Sequence, residues 1–272
     1  MPGDIISSQV GQHRNEIGNE FWKRLRTEHC VGMDGYAPPA RIEDYNFSQA
    51  DNFRYVPRAV LIDLEPRVIN STLNVEFGKG FYLERVFSSG GGAGNNWASG
   101  CGAGFNKDSK HGDQILNIIQ SEVEISDKID GFSVSHSIVG GTGSGLGSWI
   151  LEKLVDEYGH KQIQTFSAFP TFGSDVVVQL YTAILTFKRL IEIPQMVTVL
   201  DNVAIEKNVM AKTHIKDPSM KDVNAIIERI MAGITSSKRF GAPNVVSLFN
   251  LSSQLCPVSP LHFIQCGKIL FL

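Results

Sequence analysis

Gly140-Gly141-Thr142-Gly143-Ser144-Gly145-Leu146-Gly147 places five glycines in eight residues, and the reading of this chain turns on that stretch. It follows the strand-like run Phe132 to His136. It precedes a helical pattern with Leu146, Ile150, Leu154 and Tyr158 on one face. Strand, glycine loop, helix is an arrangement that receives phosphate, because N–H groups point outward at a helix start and the helix dipole favours an anion there. Glycines let the backbone approach a ligand closely and adopt positive φ. Thr142 and Ser144 add hydroxyl donors. A turn that only packs helix on sheet needs fewer glycines. The dinucleotide fingerprint G-x-G-x-x-G does not fit, because Gly143-Ser144-Gly145 is followed by Leu146-Gly147. No G-K-[ST] is present either, so this is a phosphate loop of another kind.

Outward from the loop, strand-like and helix-like runs alternate. Ile5 to Val10, Ala59 to Ile62, Phe132 to His136, Gln164 to Phe169 and Met196 to Leu200 read as strands. Ile115, Ile118, Ile119 and Val123 share a helical face, and so do Val177, Leu180, Tyr181, Ile184 and Leu185. The clearest helical face is Val223, Ile226, Ile227, Ile230, Met231 and Ile234. The alternation predicts an α/β fold: a mainly parallel, Rossmann-like sheet flanked by helices and ending on a long core helix. In such sheets ligands bind at the carboxyl ends of the strands. Asp34 to Asp51, with Pro38-Pro39, and Ser88 to Lys110 read as loops. Cys256-Pro257-Val258-Ser259-Pro260 breaks the last helix, and Leu261 to Ile264 starts something strand-like. The expected organisation is one domain over residues 1–255, with residues 256–272 beginning a second whose continuation is missing.

The chain has 272 residues, of which 42% are hydrophobic, enough for one large core or two small ones. A net charge of -3 gives no strong field, so neither nucleic acid nor an anionic membrane is expected as partner. Cys30, Cys101, Cys256 and Cys266 form no C-x-x-C pair and read as free thiols of a reduced, cytoplasmic protein. The N-terminus lacks the pattern of a signal peptide, and no apolar run approaches the ~18 residues that span a bilayer.

Other candidates are weaker when read alone. Gly90 to Gly100 (G-G-G-A-G-N-N-W-A-S-G) is either a second backbone cradle, with Asn95 and Asn96 as donors, or a surface loop. Asp63 and Glu65 either hold Mg²⁺ through water or start a helix with Pro66, and the residues alone favour the helix start. Asp201-Asn202 either caps a helix or meets a sugar or base. Asn224 is either a solvated position beside the apolar stripe or a reader of a base edge.

With these residues in hand, the chain resembles the tubulin family. G-G-T-G-S-G-L-G at 140–147 resembles the signature loop of the tubulin/FtsZ superfamily. G-A-G-N-N-W-A at Gly92 to Ala98 is similar to eukaryotic tubulins. The γ-tubulin branch is resembled most in Tyr55 to Ala59, Glu65 to Ile69, Gly90 to Gly100, His136-Ser137-Ile138, Ser174 to Gln179 and Leu185 to Leu190. The resemblance runs from Met1 to about Phe263.

The resemblance implies a GTP/GDP site with Mg²⁺. Gly11 and Gln12 would begin the first nucleotide loop, and Asp63 and Glu65 would be the Mg²⁺-side carboxylates, which reverses the helix-start preference. Ala93, Gly94 and Asn95 would contact the γ-phosphate. Ser137 and Gly140, Gly141, Thr142, Gly143, Ser144 and Gly145 would cradle the α- and β-phosphates. Asn202 and Asn224 would bond the guanine edge, with Met220 where the family has an aromatic that stacks on the base. Arg14 stands where the family has glycine, and either reaches a phosphate or obstructs the site. The loop before Ser174 looks about three residues short.

The implied function is that of a γ-tubulin-type GTP-binding cytoskeletal protein, acting in microtubule nucleation at a microtubule-organising centre or centrosome. Its implied partners are γ-tubulin-complex proteins and α/β-tubulin. The alternatives are an assembling GTPase like α/β-tubulin or FtsZ, and a non-functional truncated product. The chain is expected to be structural rather than enzymatic. Val245 stands where the family's hydrolysis-assisting acid falls, and no acid lies between Arg239 and Leu272.

Overall fold

The computed structural model describes residues 3–37, 46–50, 52–74, 80–106, 110–170, 178–213, 219–240 and 247–267. The strands are β1 (Asp4–Val10), β2 (Phe47–Gln49), β3 (Tyr55–Pro57), β4 (Ala59–Asp63), β5 (Val86–Ser88), β6 (Ile129–Ser137), β7 (Gln162–Phe169), β8 (Met196–Asp201) and β9 (Phe263–Gln265). The helices are α1 (Gln12–Glu28), α2 (Pro66–Asn74), α3 (Trp97–Phe105), α4 (His111–Ile125), α5 (Gly147–Tyr158), α6 (Gln179–Glu192), α7 (Asn202–Thr213), α8 (Met220–Arg239) and α9 (Leu248–Leu255).

Seven strands form one sheet in the order β5-β4-β1-β6-β7-β8-β9, and every pairing within it is parallel. β2 and β3 make a separate antiparallel ribbon. Both faces of a parallel sheet must be covered, so its strands read as continuous apolar runs. β4 shows how this works at period two. Val60 and Ile62 enter a core with residues of α3, α4, α5 and α6, whereas Ala59 and Leu61 enter a second core with residues of α1, α2, α7 and α8. The α/β architecture expected from the alternating runs is the one observed.

The strand order reverses beside β1. After β1 the chain builds outward to β4 and β5, then returns to β6 on the other side and continues through β7 and β8. A crevice forms at such a reversal, outside the carboxyl ends of the strands.

α8 starts with a full capping box: Ser219 Oγ accepts from Asp222 N–H, and the Asp222 carboxylate accepts from Ser219 N–H at 2.9 Å. Its expected apolar face is confirmed, with Val223, Ile227 and Met231 buried and Ile226, Ile230 and Ile234 packed against the same core. Arg239 near its end donates to Glu28 of α1 at 2.7 Å, fixing the two helices together.

α6 differs from expectation. Leu180, Tyr181 and Ile184 are exposed, and Thr182, Thr186 and Leu190 face the core instead. Ala183 and Phe187 complete the packed side, so small and β-branched residues fit the helix against its neighbours while the apolar stripe points outward. Val177, in that predicted stripe, lies outside the described residues, as do Pro38-Pro39 and the segment 171–177. The strand-like start at Leu261 to Ile264 becomes β9, which pairs with β8 at the sheet edge.

Candidate functional site

A cavity of about 410 Å³ opens at the strand-order reversal. Its wall takes Val10 and Gly11 from the end of β1, Asp63 from β4, Ser137 from β6, Ala168 and Phe169 from β7, and Asn202 just past β8. That volume lies within the range of small-molecule sites.

Gly11 is required twice. Its φ is 86°, a conformation that disfavours side chains, and a Cβ there would stand 3.1 Å from Gly143 N. The β1–α1 turn therefore lies directly against the glycine loop. Gly11 N–H donates to Ile62 C=O at 2.9 Å, anchoring the turn to β4. Gln12 begins α1 and lines the cavity.

Gly140 leaves β6 with φ 87°, and Thr142–Leu146 then form a π-helical turn that runs directly into α5. Gly143 packs against Ser137, where a Cβ would come 3.0 Å from the amide nitrogen. His136 lies fully buried beneath this turn. Its Nδ1 is 3.2 Å from Gly143 C=O, and its Nε2 is 3.0 Å from Ser167 Oγ. A carbonyl only accepts, so Nδ1 carries the proton and Nε2 accepts from Ser167. Burial, and then the charge of Arg14, push the imidazole down to about 4, which keeps it neutral.

The second glycine cluster faces the first. Gly92, Gly94 and Asn95 take φ of 57°, 54° and 57°, and Gly94 and Asn95 are exposed at the cavity. Gly92 N–H donates to Leu64 C=O at 3.0 Å. Asn96 is a cap, its Oδ1 accepting from Ala98 N–H at 2.9 Å, and Asn95 rather than Asn96 lines the cavity.

Asp63 is buried at the cavity wall. Its Oδ1 accepts from Glu65 N–H at 3.2 Å, and its Oδ2 has no partner among the described residues. Burial raises its pKa to about 6. Glu65 lines the same wall but is exposed. An orphan buried acceptor beside a second carboxylate fits Mg²⁺, which takes one or two protein carboxylates and fills its remaining positions with water and phosphate oxygens.

On the opposite side, Asp201 Oδ1 accepts from Val203 N–H at 2.9 Å and from Ala204 N–H at 3.2 Å, capping α7. That leaves Asn202 Oδ1 buried and unpartnered among the described residues, at the cavity wall. Met220 and Asn224 lie one helical turn apart on α8, and both line the cavity.

The cavity thus gathers residues spread from 11 to 224 in the chain. Of the residues the family resemblance assigns to the nucleotide, two stand apart from its lining. Ser144 is fully buried and its hydroxyl donates back to Gly140 C=O. Gly145 lies where a Cβ would collide with Trp97 C=O. Both sit beneath the cavity rather than in its wall. Gln179 at the start of α6 and Glu206 on α7 line it without having been anticipated. The only sequence signal for Glu206 was its spacing of one helical turn from Asn202.

A glycine-cradled cavity at the reversal of a parallel sheet, with Asp63 Oδ2 and Asn202 Oδ1 unpartnered at its wall among the described residues, defines a nucleotide-binding α/β domain. The family model described as Tubulin/FtsZ family, GTPase domain, matches residues 4–210. The chain belongs to that family and is a GTP-binding, tubulin-like protein.

This match corrects one expectation. The chain was read as structural and non-enzymatic, yet the domain it carries is a GTPase domain. That expectation rested on Val245, which lies outside the described residues. One missing acid removes one contribution to hydrolysis. Charge stabilisation by a phosphate cradle and activation of water by a metal are separate contributions. Among the described residues no helix is long and apolar enough to cross a membrane.

Proposed function

We propose that this chain is a γ-tubulin-type GTP-binding protein that takes part in microtubule nucleation at a microtubule-organising centre. The observation that carries the nucleotide part is the meeting of both glycine loops, Asp63, Asn202 and Asn224 around one cavity. In this reading Gly11, Gln12, Ser137 and Gly140 to Gly143 hold the α- and β-phosphates through backbone N–H groups. Ala93, Gly94 and Asn95 meet the γ-phosphate. Asn202 and Asn224 pair with the guanine edge, and Met220 packs on the base face. Ser144 and Gly145 support the cradle from below. Asp63 and Glu65 hold Mg²⁺, which when bound offsets phosphate charge. Amides at the cavity wall read a base by leaving unpaired groups against the wrong one, so adenine should be rejected.

The branch within the family rests on the stretches Tyr55 to Ala59, Glu65 to Ile69 and Leu185 to Leu190, which resemble γ-tubulin. With it come γ-tubulin-complex proteins and α/β-tubulin as partners and a cytoskeletal, centrosomal location. Residues 1–255 then form the nucleotide domain, and β9 adds a strand to the edge of its sheet. Two measurements test the reading. Labelled GTP should be displaced by GDP and not by ATP. Added chain should shorten the lag of α/β-tubulin assembly followed by light scattering. Equal displacement by ATP removes the base-reading roles. An unchanged lag removes the nucleation role and leaves the nucleotide site standing.

A further inference from the structure

Arg14, the third residue of α1, is 2% exposed, yet it lines the cavity. Its Nε and Nη1 have no hydrogen-bond partner among the described residues. Asp63, Glu65 and Glu206 border the same cavity, but none counters the guanidinium. Burial lowers its pKa to about 9, and no carboxylate among the described residues restores it. It still carries its charge at neutral pH. It lies close enough to His136, which holds Gly143 C=O, to depress that imidazole. Arg14 lies in the first turn of α1, just after the Gly11 turn that touches the glycine loop.

An uncompensated buried charge is costly and persists where something else neutralises it. A planar guanidinium suits a phosphate, which it can bind through two parallel N–H donors. We propose that Arg14 is a phosphate-binding residue, pairing with a phosphate of the bound guanine nucleotide and supplying within the chain part of the charge compensation a divalent cation would otherwise give. The inference rests on the nucleotide site proposed above.

The test measures affinity for guanosine, GMP, GDP and GTP in EDTA, for the unaltered chain and for Arg14→Met and Arg14→Lys. Methionine keeps the length and removes the charge. The unaltered chain should bind tighter with each added phosphate. Arg14→Met should lose about 10- to 100-fold on GDP and GTP, the worth of a charge-assisted hydrogen bond, with guanosine unchanged. Arg14→Lys should recover part of the loss. Unfolding of the nucleotide-free Arg14→Met chain should need no less denaturant than the parent, because a buried unpaired charge has gone. Equal loss on guanosine would make Arg14 structural and overturn the proposal. Unchanged or tighter GDP binding by Arg14→Met would show that the side chain obstructs or ignores the phosphates. If the unaltered chain binds no guanine nucleotide, the proposed function falls as well.

Discussion

Asp63→Asn should make the empty chain more stable at neutral pH and less so, relative to its parent, as the pH falls. The carboxyl is buried, with Oδ2 unpaired among the described residues, and its pKa rises from the ordinary 3.8 to about 6. Between those values the folded state binds the proton more tightly than the unfolded chain does. Asp63 therefore costs nothing below about 3.8, and its cost grows as pH rises through about 6. The shift corresponds to about 3 kcal/mol at pH 7.5. Asparagine keeps the acceptor for Glu65 N–H and never ionises, so the variant escapes that cost. His136 works the other way. Its pKa falls from 6.5 to about 4, so its stabilising contribution is present above 6.5 and is lost as pH drops toward 4. In the parent the two terms oppose across about pH 4 to 6. Urea unfolding in EDTA at pH 4.5, 6.0 and 7.5 reads both. The advantage of Asp63→Asn over the parent should grow by about 2 kcal/mol from the lowest pH to the highest. Other carboxylates are common to both proteins and cancel in the difference. A constant offset across the three pH values would refute the account of Asp63 as a buried carboxylate. His136→Gln should tilt the curve in the opposite sense.

Three further outcomes follow from the site. Asn224→Ala should weaken GTP and GDP by about 1–3 kcal/mol, the cost of stranding a buried partner, and should narrow the gap to ATP in a competition assay. Gly143→Val should abolish nucleotide binding, since even a Cβ there stands 3.0 Å from Ser137 N, and retained affinity in a filter-binding assay would remove the loop from the site. Gly145→Ala should lower thermal stability even without nucleotide, by about 1–3 kcal/mol or more, because its methyl group meets Trp97 C=O; an unchanged melting curve would contradict that packing.

Much of this was legible because parallel strands leave continuous apolar runs. Ala59 to Ile62 and Met196 to Leu200 announced β4 and β8 to within a residue or two. The three-residue strands β2, β3 and β5 carry too little pattern to read. α6 misled for a different reason. Periodicity reports that a helix has an apolar side but not which way it faces, and Thr182 and Thr186 pack inward while Leu180 and Tyr181 point out. The site was legible mainly through the family resemblance. Read singly, Asp63 favoured a helix start and Asn224 a solvated surface. Their convergence on one cavity is a product of topology, which separates them by over 160 residues and returns them to one crevice. Arg14 could be seen in the sequence, but its burial and the unpartnered state of its Nε and Nη1 among the described residues could not.

The glycines of residues 140–147 divide their labour in a way no motif states. Gly140 meets its φ of 87° with little around it, so its requirement is conformational. Gly143 is pressed between Ser137 and the Gly11 turn. Gly141 would collide with Ala93, Gly145 with Trp97 C=O, and Gly100 across the same seam with Gly141 C=O. These last three are glycine because the second loop and the start of α3 lie directly on the first loop. Backbone packed on backbone has no side chains to yield, so the two cradles are held as one rigid unit. A ligand that touches both must carry groups at a fixed separation. A chain of phosphates meets that requirement and a lone phosphate does not, so the seam at Gly141, Gly145 and Gly100 argues for a polyphosphate ligand independently of any residue that contacts the base.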